Sequence, residues 1–558
     1  MDNEIPLGPR TRLYRIFEML PAAVSFTMVL LVVVLPLISP SLAAWYVLAI
    51  VAVMFARAVR SALDLARGYR RLRAASEVDW ELRLRELEDP LAALAAGPAP
   101  SGLFEAARHR RNLERLAVAG EGEGEGILRP SEVLNAVIVA AYNESYEVIA
   151  PTMRVLAESR TDTERLLVLL AYEERGGPEM ERTARRLQRE FGGAFGAFEL
   201  VRHPRDLPGE IAGKGANISF AGRVLQNWVA ARGIDPARVL VTTLDCDNKP
   251  HADYFACASY HFAVDPDRMR ASFQPVSLFL NNIWDAPAPT RVVASGNTFW
   301  NLTSSVRPLT LRNFASHSQP LDALIEMGFW STRTIVEDGH QYWRSWFHFR
   351  GRYRVVGIPV PISQDAVLTD TYAGTLVAQF KQLSRWSYGA SDVPYVAVRV
   401  FGPHRPAPFW PSLWRLLSLL EGHVTLASLS IIVAVGGWMP IMLAAHHARG
   451  DQFVQNLPFL VGTTQQIAML GLVVSVVLAW RILPPQPDRH GPLRGLGMLA
   501  QWLLFPFTII GYNALTALYS QSRLLIGSYR ERFDVTEKSA VPQEGPLRPT
   551  RIEGNEIL

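Results

Sequence analysis

The sequence predicts an α/β domain built on a mostly parallel sheet and flanked by transmembrane α-helices. Three observations carry this expectation. Strand-like and helix-like segments alternate between residues 133 and 270. Charge-free apolar runs lie before and after that stretch. Clusters of Tyr, Asn, Asp and Glu fall directly after the apolar strands, where parallel sheets bind their ligands.

The first apolar run, Pro21 to Ala56, contains no charged residue, and Ser39-Pro40-Ser41 interrupts it. Two spans joined by a tight turn are expected. Arg10, Arg12 and Arg15 precede the run, and Arg57, Arg60, Arg67, Arg70, Arg71 and Arg73 follow it. The positive-inside rule therefore places both ends of this hairpin in the cytoplasm. Residues 62–118 are rich in Arg, Leu, Glu and Ala and are expected to form solvated or interfacial helices. Alternating Gly and Glu over Gly120–Gly126 reads as a flexible linker.

The alternating region follows. Strands are expected at Leu134–Ala141, Leu166–Tyr172, Phe198–His203 and Val239–Leu244. Helices are expected at Tyr146–Ser159, from about Glu179, at Ala216–Ala231 and at Ala252–Val264. Right-handed crossovers would make these strands parallel.

Beyond the domain, Phe409, Trp410 and Trp414 accompany Leu413, Leu416, Leu417 and Leu420 at helical spacing, the pattern of an interfacial amphipathic helix. Val424–Ala445, Phe453–Trp480 and Gly495–Ser522 carry no charge and are candidate spans. Arginines flank the last of them on both sides, including Arg494 and Arg523, so it is either a span or a re-entrant or interfacial segment bent at Pro506 and Gly511. The expected organisation is a transmembrane hairpin at 1–61 and a helical and linker region at 62–130. The α/β domain follows at 131–405, an interfacial helix at 406–422, a membrane region at 423–522 and a basic cytoplasmic tail at 523–558.

Composition narrows the function. The apolar share is 49%, and the formal net charge of the 558-residue chain is only +4, which argues against a dedicated nucleic-acid binder. Two cysteines cannot build a disulfide framework, and no Cys/His spacing suits zinc. Cys246 reads as a small apolar filler.

Four motifs carry chemistry. Asp245-Cys-Asp247 follows the strand Val-Leu-Val-Thr-Thr-Leu, so two carboxylates at a strand's carboxyl end can share one divalent cation. Glu337-Asp338 opens a helix; an aspartate there is an ordinary N-cap, or a base that takes a proton from a hydroxyl. Gln382, Arg385 and Trp386 share one helical face. Arg can grip a phosphate, and Trp offers a flat surface to a sugar ring. Lys214, in Gly213-Lys-Gly-Ala-Asn217, stands before a helix and can approach a diphosphate, although the spacing is not that of a Walker loop.

Taken in order, Ala141-Tyr-Asn-Glu144, Asp245-Cys-Asp247, Val336-Glu-Asp338 and Gln382-Leu-Ser-Arg385-Trp386 resemble the membrane-bound family-2 glycosyltransferases, such as cellulose and hyaluronan synthases. The resemblance covers roughly residues 133–390 and the flanking membrane segments. It implies a GT-A fold and inverting transfer of a hexose from a nucleotide-sugar donor, expected to be a UDP-sugar, to a growing polysaccharide. It implies Mg2+ or Mn2+ at Asp245 and Asp247, and Asp338 as general base. It places Tyr142, Glu144, Glu173, Lys214 and Arg385 on the donor, and Gln382 and Trp386 on the acceptor. Val336 replaces the family's threonine, Glu173-Glu-Arg175 stands where relatives have an aspartate pair, and the family's gating sequence is not found before Val336. Asn297, Trp300, His317 and His340 are further candidate acceptor contacts, each with an ordinary structural reading beside it. The implied setting is a bacterial inner membrane, with the catalytic domain cytoplasmic and membrane lipids as neighbours. Two alternatives remain: transfer of one sugar to a lipid carrier or membrane lipid, and a non-enzymatic transporter or scaffold.

Overall fold

The computed structural model describes residues 4–97, 100–119, 126–443, 451–491 and 493–530. Almost all of the expected linker at 120–126, and the tail beyond Arg530, lie outside the described residues.

One eight-stranded sheet organises the domain, in the order β3-β2-β1-β4-β7-β6-β8-β5. The strands are β1 Leu134–Ala141, β2 Leu166–Glu173, β3 Ala197–His203, β4 Val239–Asp245, β5 Lys249–Pro250, β6 Ala271–Phe279, β7 Ser318–Pro320 and β8 Arg354–Gln364. Strands β3, β2, β1 and β4 are parallel neighbours, as are β6 and β8; β7 and β5 pair antiparallel. Val137, Ile138 and Val139 of β1 are wholly buried, because helices cover both faces of a parallel sheet. The crossover helices Tyr146–Ala157, Gly177–Phe191 and Lys214–Ala231 lie where the sequence places them, to within a few residues. This is the α/β class expected, with candidate membrane helices on both sides.

Residues 62–119 differ from expectation. Trp80, Leu87 and Leu113 are buried, packed with the helix Tyr254–Ala263 in the domain core rather than facing solvent. A buried polar knot fastens them: His109 bridges Glu86 (2.8 Å) and the Tyr260 hydroxyl (3.0 Å), and Asn112 Nδ2 donates to the same hydroxyl at 3.1 Å. The many arginines here mask a narrow apolar face.

Among the described residues, five segments are long and apolar enough to cross a membrane: Arg12–Ile38, Pro40–Ser76, Phe409–Val435, Leu457–Ile482 and Leu493–Ile526. Ser39 caps the second helix and Pro40 occupies its first turn, which explains the tight hairpin. Phe409–Val435 is one unbroken helix, so the interfacial helix expected at 406–422 and the span expected after it are a single element. A continuous apolar stripe gives the backbone no reason to stop at Leu420.

The fifth segment is irregular, with a π-helical turn over Ile509–Ala514. Its beginning touches the α/β domain, where Arg494 donates to the carbonyl of Trp284 (3.0 Å). Its end touches the first helix, where Arg15 donates to the Leu524 and Leu525 carbonyls. In between, Ser520 Oγ donates to the Ser384 carbonyl (2.6 Å). The segment therefore packs along the domain from Trp284 to Ser384, and its end meets the start of the first helix.

The long helix Pro40–Ser76 descends onto the helix Ala288–Ser305, and Gly68 makes the crossing possible. A Cβ there would stand 2.3 Å from the Leu302 carbonyl oxygen. Gly68→Ala is expected to lower stability by about 1–3 kcal/mol through overpacking, after a helix-propensity gain of up to ~1 kcal/mol. An unchanged melting temperature in detergent would show that the two helices do not meet this closely.

Candidate active site

The carboxyl ends of β1, β2 and β4 open into a cavity of about 480 Å3, large enough for a small-molecule ligand. Tyr142, Glu144, Glu173, Asp245 and Asp247 line it from these ends. Lys214 enters from the helix Lys214–Ala231, Asp338 from the helix Glu337–His348, and Gln382, Arg385 and Trp386 from the helix Tyr372–Ser387. The structure thus brings Tyr142, Glu144, Glu173, Lys214, Asp245, Asp247, Asp338, Gln382, Arg385 and Trp386 to one cavity.

Local hydrogen bonds hold the strand ends. The Tyr142 amide donates to Glu144 Oε2 (2.7 Å), closing the turn after β1. Asn217 Nδ2 donates to the carbonyls of Ala141 (3.3 Å) and Ala171 (2.9 Å), tying β1 to β2. Glu173 is buried and pairs with Arg175, whose guanidinium lies 5.4 Å from the centre of the Tyr142 ring.

Lys214 is the first residue of its helix rather than part of the preceding loop. Its ammonium lies 2.9 Å from Asp245 Oδ1, 2.9 Å from Asp338 Oδ2 and 3.7 Å from Glu337 Oε1. Burial favours loss of its proton, but the carboxylates of Asp245, Asp338 and Glu337 outweigh burial and hold it well above the ordinary lysine range. It therefore carries a fixed positive charge inside an acidic cluster.

Asp338 keeps one oxygen for Lys214. The other, Oδ1, is buried and accepts no hydrogen bond from the described residues, as suits a base awaiting a hydroxyl. His317 Nδ1 stands 3.8 Å from it but donates to the Phe314 carbonyl at 2.8 Å. Burial lowers the His317 pKa, so it is a neutral structural residue. His340 is also structural: it is fully buried, with Nδ1 2.6 Å from Asp392 Oδ1. Asn297 and Trp300 do line the cavity.

Aromatic rings form its remaining walls. Trp386 packs near Phe279 with centroids 5.9 Å apart, and Trp300 meets Phe314 edge-on at 4.5 Å. Such faces suit a sugar ring. Arg312, Asn313, Leu419 and His423 also line the cavity, and no local motif marks them in the sequence.

The donor set at Asp245 and Asp247 consists of hard oxygens. Among the described residues, no group of three or more His, Cys, Asp or Glu is placed to hold a metal ion. Two carboxylates beside an open cavity fit magnesium or manganese, which complete their shells with phosphate oxygens and water.

The sequence matches no protein-family model and no curated protein. The fold is similar to that of the mannosyltransferase PcManGT from Pyrobaculum calidifontis, solved in complex with GDP-Man and Mn2+. That match has a TM-score of 0.40 and 15% identity, over 80% of this chain and 100% of that one. It is also similar to S. aureus TarS 1–349 in complex with UDP-GlcNAc, with a TM-score of 0.34 and 9% identity, over 71% and 92% of the two chains. At these scores neither protein's ligand carries over to this chain.

Glu337 gives a test of the site's electrostatics. Burial first, and the neighbouring Asp338 charge second, push its pKa up to about 8. It is therefore protonated at neutral pH, and the folded state binds a proton there that the unfolded chain has lost. That contribution to stability fades as pH rises from the ordinary glutamate range through 8. Glu337→Gln is expected to keep activity within about threefold at pH 7 and to be less sensitive than wild type above pH 8. A loss of hundredfold or more at pH 7 would show that Glu337 works as a carboxylate.

Proposed function

We propose that the chain is an integral-membrane, inverting glycosyltransferase of GT-A type. It moves a hexose from a nucleotide-sugar donor to a growing polysaccharide. One observation carries this reading: Asp245, Asp247, Asp338, Gln382, Arg385 and Trp386, drawn from three separate segments, line one cavity at the carboxyl ends of parallel strands.

In this reading Arg385 grips the donor diphosphate, and Tyr142, Glu144 and Glu173 border the nucleotide. Asp245 and Asp247 would hold Mg2+ or Mn2+, whose charge would offset that of the departing diphosphate. Gln382 and Trp386 orient the acceptor's terminal sugar. The acceptor hydroxyl oxygen attacks the anomeric carbon from the face opposite the diphosphate, and Asp338 Oδ1 takes its proton. The bond to the diphosphate breaks as the new one forms, so the configuration inverts. Lys214 holds Asp338 in place through an ion pair at 2.9 Å. The positive-inside pattern supports a cytoplasmic catalytic domain, in a bacterial inner membrane on this reading.

A second reading keeps the chemistry and changes the acceptor to a lipid-linked one. It is favoured by Leu419 and His423, which bring the membrane-type helix Phe409–Val435 to the cavity wall.

A panel of nucleotide sugars supplied to isolated membranes tests both readings. Release of nucleoside diphosphate with a matching glycosylated product is expected for one donor. Asp338→Asn is expected to lower turnover by roughly 10²–10⁴-fold, and Asp245→Ala to do so with loss of the metal response. Folded variants that keep full transfer would sink the proposal, and product length separates a polymer from a single-sugar lipid.

A further inference from the structure

Of the Lys and Arg side chains lining the cavity, two have work already. Lys214 neutralises Asp245 and Asp338, and Arg385 is placed for the diphosphate. Arg312 is the third. It lies outside every motif, between the helix Ala288–Ser305 and β7, and it is part-buried.

Arg312 makes no hydrogen bond or ion pair with any described residue. Its guanidinium lies over the Trp343 ring, 4.6 Å from the centroid. That contact returns less than withdrawing a charge from water costs. The carboxylate lining this part of the cavity, Asp392, is engaged by His340 at 2.6 Å. Burial lowers the Arg312 pKa most; the nearby Tyr342 and Asp392 raise it, and Arg415 lowers it. A guanidinium in a concave site, stacked on one face and hydrogen-bonded to no carboxylate among the described residues, can receive an anion.

Resting on the glycosyltransferase reading, we propose that the acceptor carries an anionic group beside its reacting hydroxyl, and that Arg312 binds that group. Arg312 touches substrate but takes no part in bond making. The hydroxyl oxygen still forms the new bond to the anomeric carbon, its proton still passes to Asp338, and the nucleoside diphosphate still leaves with the bonding pair. Two sources supply this chemistry: the carboxylate of a uronic acid in the glycan, or the phosphate of a lipid-linked sugar. Asn313 and His423 also line the cavity, and His423 lies on the membrane-type helix.

The test uses purified full-length protein, the donor identified above and three acceptors. These are a neutral oligosaccharide, the same oligosaccharide ending in a uronic acid, and a polyprenyl-diphosphate-linked sugar. At least tenfold higher kcat/KM for one or both anionic acceptors is expected, and the preferred one names the source. Arg312→Met is expected to erase that preference, chiefly through acceptor KM, and Arg312→Lys to restore part of it. Inorganic sulfate is expected to compete with the acceptor in wild type but not in Arg312→Met. Equal use of the neutral acceptor, or an unchanged preference in Arg312→Met, overturns the proposal. If sugar is still transferred in that case, the glycosyltransferase reading stands without it; if no acceptor takes sugar and no nucleoside diphosphate is released, both fall.

Discussion

Asp245, Glu337 and Asp338 bring three carboxyl groups together from the end of a strand and the start of a distant helix. Repulsion between the Asp245 and Asp338 carboxylates would drive those elements apart. The Lys214 ammonium, 2.9 Å from two of them, offsets it. The helix that delivers Lys214 can come so close because its second residue is Gly215, where a Cβ would lie 2.3 Å from the Ser331 carbonyl. The alignment of Asp245 with Asp338 thus depends on a buried ion cluster and on the absence of one methyl group. The same cluster leaves Asp338 with one oxygen committed to Lys214 and the other buried, with no hydrogen bond from the described residues.

The membrane-type helices extend this arrangement rather than merely anchoring it. The segment Leu493–Ile526 lies along the helix that carries Gln382, Arg385 and Trp386, joined to it through Ser520 and Ser384. The helix Phe409–Val435 closes the far wall of the cavity. A change in these membrane-type helices is therefore mechanically close to the wall formed by Gln382, Arg385 and Trp386, while the wall of Tyr142, Glu173 and Asp245 rests on the sheet.

Much of this was legible in the sequence. Strands β1 to β4 are short apolar runs ended by polar clusters, and period and length locate them well. The polar clusters fall where parallel strands end, so their convergence could be anticipated from topology. The rest depends on tertiary contacts that leave no local trace. Trp80 and Leu87 lie in an arginine-rich stretch whose average polarity hides one buried face. His317 and His340 looked like ligand contacts by residue type, but their buried partners make them structural. Arg312 has no motif around it, and only the fold shows that it faces the cavity without a carboxylate.

Four of the candidate spans are regular helices, and the fifth segment packs along the domain. On the face away from the domain, the described chain offers little beyond the bend at Ser39 and the connection between Val435 and Leu457. There Ser41 donates to Asp451 at 2.6 Å. If those four helices cross a membrane, nearly all the described surface outside it belongs to the domain's side. An antibody, protease or partner restricted to the opposite side would then find little among the described residues to hold.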